Sequence, residues 1–122
     1  MGRRVLLIED EPNIIEAISF ILSRDGWTVH THEDGTTAMD KVLGMPPDMI
    51  ILDVMLPGRS GFDILRDLRQ SDVTKTTPVM MLTARGQDKD RELAMRLGAN
   101  LFMTKPFSNT EVRDHVRDLM EA

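Results

Sequence analysis

Short apolar runs of strand length alternate five times with longer stretches of helical period, and no Ser/Gly linker, low-complexity tract or repeat interrupts them. This alternation restricts the chain to consecutive βα units, because a helix is the usual way to return a strand to the same edge of a parallel sheet. The pattern predicts strands at residues 5–8, 27–31, 49–52, 78–82 and 101–103. A first helix starts at Asp10-Glu11-Pro12 and buries Ile14, Ile18, Ile21 and Leu22 before Gly26 ends it. Helices are also predicted over 35–43, stopped by Gly44-Met45-Pro46-Pro47, over 87–97, stopped by Gly98, and over 109–120. Phe62, Leu65 and Leu68 mark the buried face of one more, after the loop Pro57-Gly58-Arg59-Ser60-Gly61. The run at 49–52 contains no polar residue, as a strand covered on both faces requires. The expected architecture is an α/β three-layer sandwich, a doubly wound (βα)5 sheet with helices on both sides.

At 122 residues and 13.8 kDa the chain fits one domain, expected to span residues 1–122 and to bury roughly two thirds of its unfolded surface. A net charge of -5 argues against direct nucleic-acid binding by this chain. The absence of cysteine removes disulfide frameworks and thiolate metal sites. After the basic start the apolar run reaches only from Val5 to Ile8, too short for a signal peptide, and nothing approaches a membrane span of about 18 apolar residues. A cytoplasmic protein is the expectation.

Three of the apolar runs end in charge: Glu9 and Asp10 follow the first, Asp53 the third, and Thr104 and Lys105 the fifth. In a doubly wound sheet, ligands bind beyond the carboxyl ends of the strands, so these charges gather on one rim. Acids with one lysine beside them suit a divalent cation and a phosphoryl group, because the cation neutralises the carboxylates and the ammonium pairs with the anion. The fourth strand adds Thr83, whose hydroxyl can donate to a phosphoryl oxygen, and the small Ala84 keeps that approach open.

Taken together, Glu9-Asp10, Asp53 with Met55-Leu56-Pro57-Gly58 behind it, Thr83-Ala84 and Lys105-Pro106-Phe107 resemble the receiver domains of two-component response regulators. The resemblance covers essentially the whole chain. It implies a flavodoxin-like fold with strand order 2-1-3-4-5. It further implies that Asp53 is the phosphoacceptor, modified by the phosphohistidine of a histidine kinase or phosphotransfer protein. Mg2+ would be the cofactor, held by Asp10 and Asp53 directly, by Glu9 through water and by the backbone carbonyl of Met55. Lys105 would pair with Asp53 at rest and with the phosphoryl oxygens afterwards, and the Lys105-Pro106 peptide bond would be cis. Thr83 would move toward the phosphoryl group while Phe102 turns inward to fill the vacated space. The face formed by the fourth helix, fifth strand and fifth helix would then contact a downstream protein or an effector domain. Met55, Ala84 and Arg85 flank the path of an attacking water, and an apolar Met55 implies slow autohydrolysis.

Part of the family pairs acids and bases across a dimer, and Arg91 and Glu111 keep one such pair, so a phosphorylation-dependent homodimer is an option. Asn100, Leu101 and His115 depart from that branch. Glu11 is read as a purely structural acid at a helix start, Arg91 and Glu111 as solvated charges, and the methionines as core filler. His30, His32 and His115 are read as surface residues. An aspartate-nucleophile phosphohydrolase on the same fold usually has a second acid two residues on. Met55 stands there, so no general acid is in place and a turnover enzyme is not expected. A flavodoxin would need a phosphate-cradling Gly-rich loop and aromatics to stack on a flavin, neither of which appears. A pseudo-receiver that binds partners without phosphorylation is disfavoured by the intact acids, threonine and lysine.

Overall fold

The structure, a computed structural model, describes residues 3–84 and 88–121. Five parallel strands, β1 (Arg3–Ile8), β2 (Trp27–His32), β3 (Met49–Asp53), β4 (Val79–Thr83) and β5 (Leu101–Thr104), form one sheet in the order β2-β1-β3-β4-β5. The helices are α1 (Pro12–Arg24), α2 (Ala38–Gly44), α3 (Gly61–Gln70), α4 (Asp88–Arg96) and α5 (Asn109–Glu121). The winding reverses between β1 and β3, which places a ligand crevice at their carboxyl ends.

Side-chain alternation along the strands divides the interior into two layers. Leu6, Ile8, Ile50, Leu52, Val79, Met81 and Phe102 pack with Ala38 and Val42 of α2, Ile64, Leu65 and Leu68 of α3, and Ala94 of α4. Val5, Leu7, Met49, Ile51, Met80, Leu82 and Met103 pack with Ile18, Ile21 and Leu22 of α1 and Val112 and Val116 of α5. Four methionines, Met49, Met80, Met81 and Met103, are therefore core residues, as expected from their place in apolar runs.

The differences from the sequence reading are local. Residues 35–37 form a 3-10 turn, because the Asp34 carboxylate accepts the Thr36 N–H and caps the chain there; the α-helix begins only at Ala38. The strand predicted from residue 78 starts at Val79, and Gln87, taken as the start of the fourth helix, lies outside the described residues. Asn100 has a structural duty: its Oδ1 accepts the Val79 N–H (2.9 Å) and an Arg69 N–H (3.0 Å), tying the start of β4 to the start of β5. Arg69 also donates to the carbonyls of Gly98 and Thr74.

Candidate functional site

The strand ends converge because β1, β3, β4 and β5 are neighbours in parallel register: Ile8 pairs with Leu52, Asp53 with Leu82, and Thr83 with Thr104. The first residues past each strand then share one rim.

Glu9 is fully buried there. Its Oε2 accepts the N–H groups of Asp10 and Glu11, both at 3.1 Å, which fixes the carboxylate in one orientation. Oε1 lies 3.0 Å from the Lys105 ammonium, yet no donor is aligned on it for a hydrogen bond. A buried carboxylate oxygen left in that condition is a ready ligand for a cation. Asp53, 2% exposed, accepts the Met55 N–H on Oδ1 (3.1 Å) and has Oδ2 3.6 Å from Lys105. Carboxylate oxygens of Glu9, Asp10 and Asp53 all lie within 4.8 Å of one another. That spacing fits a small divalent cation between them, and oxygen-only donors suit a hard one.

Burial pushes the Asp53 carboxyl up to about 7, and the negative charge of Glu9 adds to the shift; the Met55 N–H and Lys105 oppose it incompletely. Two carboxylates this close therefore resist simultaneous ionisation unless a cation neutralises them.

Lys105 enters from β5 with its N–H on the Thr83 carbonyl (2.7 Å) and a cis bond to Pro106, as the sequence comparison implied. Burial acts against its ammonium, but the hydrogen bond to Glu11, the adjoining Glu9 carboxylate and the charge of Asp53 prevail, and its pKa is raised. Thr83 is buried beside it on β4. Ala84 is exposed after β4, and Met55 is more than half exposed. Arg85 lies outside the described residues.

One reading needs correction. Glu11 is not a bystander: its Oε1 accepts from Lys105 Nζ at 3.0 Å, as close as Glu9 and closer than Asp53, so the lysine is shared by three acids. Arg91 is exposed, as expected of a solvated charge, and its guanidinium also covers the Phe102 ring 5.1 Å from the centroid, with an N–H reaching the Phe102 carbonyl at 3.4 Å. Phe102 itself is 5% exposed, already part of the core. Glu111 accepts the Ser108 N–H while Ser108 Oγ accepts the Glu111 N–H, a capping box at the start of α5. The Ser-x-x-Glu spacing of 108–111 announces that motif, and it was readable without a structure. Of the histidines, His32 is half-buried and its Nε2 is 2.7 Å from Thr37 Oγ1.

Residues 5–117 match the family described as response regulator receiver domain. The phosphate regulon transcriptional regulatory protein PhoB of Escherichia coli is 39% identical over 120 residues, 98% of this chain and 52% of PhoB. The chain thus spans about half the length of the curated relatives it matches. Among solved structures, a putative response regulator from Chloroflexus aurantiacus superimposes with a TM-score of 0.95 at 30% identity, covering all of both chains. A sensor histidine kinase receiver domain from Pseudomonas aeruginosa, solved with magnesium in its active-site cleft, gives 0.91 at 28% identity, again over all of both chains. Fold, strand order and sequence agree: the chain belongs to the response regulator receiver domain family of two-component systems.

Proposed function

We propose that this chain is a phosphoryl-accepting switch with Asp53 as the acceptor. The observation that carries the reading is the buried Asp53 carboxylate, grouped with Glu9 and Asp10 within 4.8 Å and faced by the Lys105 ammonium. An Asp53 oxygen attacks the phosphorus of a phosphohistidine on a histidine kinase or phosphotransfer protein; the P–N bond breaks and its electron pair returns to the imidazole. Glu9, Asp10 and Asp53, with the Met55 carbonyl, would hold Mg2+, which when bound screens the charge of the donor from that of the acceptor. The magnesium in the Pseudomonas aeruginosa receiver supports this metal. Lys105 then balances the new phosphoryl charge, and Thr83 donates its hydroxyl to a phosphoryl oxygen.

Residues 1–122 act as one receiver unit in the cytoplasm; no helix among the described residues is long and apolar enough to cross a membrane. The output face is α4, β5 and α5, where Phe102 and Arg91 join α4 to the sheet. The relatives' description as transcriptional regulatory proteins supports an effector with a role in transcription. Arg91 and Glu111 are both exposed on the output face, where a phosphorylation-dependent homodimer could pair them.

Incubation with acetyl phosphate and Mg2+, followed by intact mass, tests the reading: wild type gains one phosphoryl group and Asp53→Ala gains none. An unmodified wild type would overturn it. The Met55 side chain is apolar and exposed, so it offers no polar group to orient a water for in-line attack. The phosphoryl group is therefore expected to outlast minutes when its decay is followed by the same mass shift, and a half-life of seconds would contradict that.

A further inference from the structure

Glu11 occupies the N-cap position of α1 but makes no side-chain cap hydrogen bond. Short side chains such as aspartate at that position normally accept a backbone N–H of the first turn, and the longer glutamate is free to reach elsewhere. Here the carboxylate turns the other way and accepts from Lys105. Glu11 is half exposed, whereas Glu9 and Asp53 are buried, so it is the solvent-side partner of the ammonium. Nζ lies 3.0 Å from Glu9 and 3.0 Å from Glu11 but 3.6 Å from Asp53, so it sits closer to the Glu9–Glu11 pair than to Asp53.

We propose that Glu11 is a positioning residue, a latch that holds Lys105 toward the mouth of the pocket and away from Asp53. The inference rests on the acceptor reading above and specifies its regulation. With the latch closed, the ammonium is partly withheld from Asp53 and from an incoming phosphoryl group. A phosphoryl group on Asp53 brings more negative charge than one carboxylate, so the ammonium leaves Glu11 for it. The freed carboxylate then lies at the N-terminus of α1, where orphan N–H groups favour it. The two states thus exchange one ion pair for another plus a helix cap.

The latch predicts opposite effects on the two ligands of the pocket. Opening it by Glu11→Gln lets Lys105 move inward, where it assists phosphoryl uptake from acetyl phosphate and competes with Mg2+. Uptake is expected to accelerate about two- to five-fold, and Mg2+ affinity, read by isothermal titration without any phosphoryl donor, to weaken by a similar factor. Glu11→Asp separates reach from charge: it keeps the carboxylate but is one methylene too short for Nζ. The latch requires Glu11→Asp to behave like Glu11→Gln. Glu11→Asp behaving like wild type shows that only the charge at the mouth matters, and overturns the proposal. In a Lys105→Met background the latch predicts that Glu11→Gln changes neither quantity; equal effects in both backgrounds overturn it. Urea midpoints of all variants show whether each is folded. Failure of wild type to take up phosphoryl overturns the acceptor reading and the latch with it, whereas normal uptake by wild type with unchanged Glu11→Asp overturns the latch alone.

Discussion

Asp53→Asn is expected to make the metal-free protein more stable at pH 8, by about 2 to 4 kcal/mol, or a rise in Tm on the order of 10 °C. The reason is the raised carboxyl: its ordinary value is 3.8, and in the fold it is about 7. Between these values the native state binds a proton that the unfolded chain has lost, so stability falls as pH rises through that window. The favourable contribution is complete below about pH 4 and gone above about pH 7. At pH 8 the wild type thus carries an ionised, buried Asp53 beside Glu9, and an isosteric amide relieves it. Thermal melts from pH 5 to 8 in chelator should show the wild type declining and Asp53→Asn nearly flat over the interval in which Asp53 titrates. Saturating Mg2+ should reverse the order, because the cation stabilises the wild type by mass action and has lost a ligand in the variant. Equal melts of the two proteins without metal would contradict the strained pocket.

Gly61→Ala is expected to destabilise the fold by about 3 kcal/mol, the upper end of overpacking costs. Gly61 opens α3 directly against the end of β3, with its N–H on the Val54 carbonyl at 2.8 Å. A methyl there would collide with the Asp53 carbonyl oxygen and press on the Asp53 carbonyl carbon and Val54 Cα, both 2.9 Å away. These are backbone atoms of a buried strand end, so no flexible side chain can yield. The start of α3, capped by Ser60 on the Asp63 N–H, must shift instead and carry the Asp53 carbonyl with it. A urea midpoint within error of wild type would show that the contact is loose. Mg2+ affinity should fall in parallel, since the loop that offers the Met55 carbonyl follows the same strand end.

Much of this was legible before any coordinates. Unbroken apolar runs such as Ile50-Ile51-Leu52 reveal a strand buried on both faces, and a parallel sheet converts their order into a rim carrying Glu9, Asp53, Thr83 and Lys105. Those residues are set by backbone register, which a pattern in the sequence captures. Glu11, Arg91 and Asn100 were misread or passed over because their partners depend on where long or branched polar side chains turn after the fold has formed. Glu11 reaches Lys105, 94 positions away, only because β1 and β5 run parallel in one sheet and carry the residues after them to the same rim. Arg91 finds Phe102 across the α4–β5 packing, and Asn100 finds Val79 across a strand pair. The late start of α2 has a different origin: the Asp34 cap on Thr36 imposes a tighter turn that the apolar period does not encode.

The central claim is that Asp53 carries the phosphoryl group. Wild-type protein treated with acetyl phosphate and Mg2+, reduced with borohydride to trap the acyl phosphate, digested and sequenced by fragmentation, locates it directly. Conversion is expected at residue 53 alone. Conversion at Asp10, Glu9 or any other carboxylate, with residue 53 intact, would contradict it.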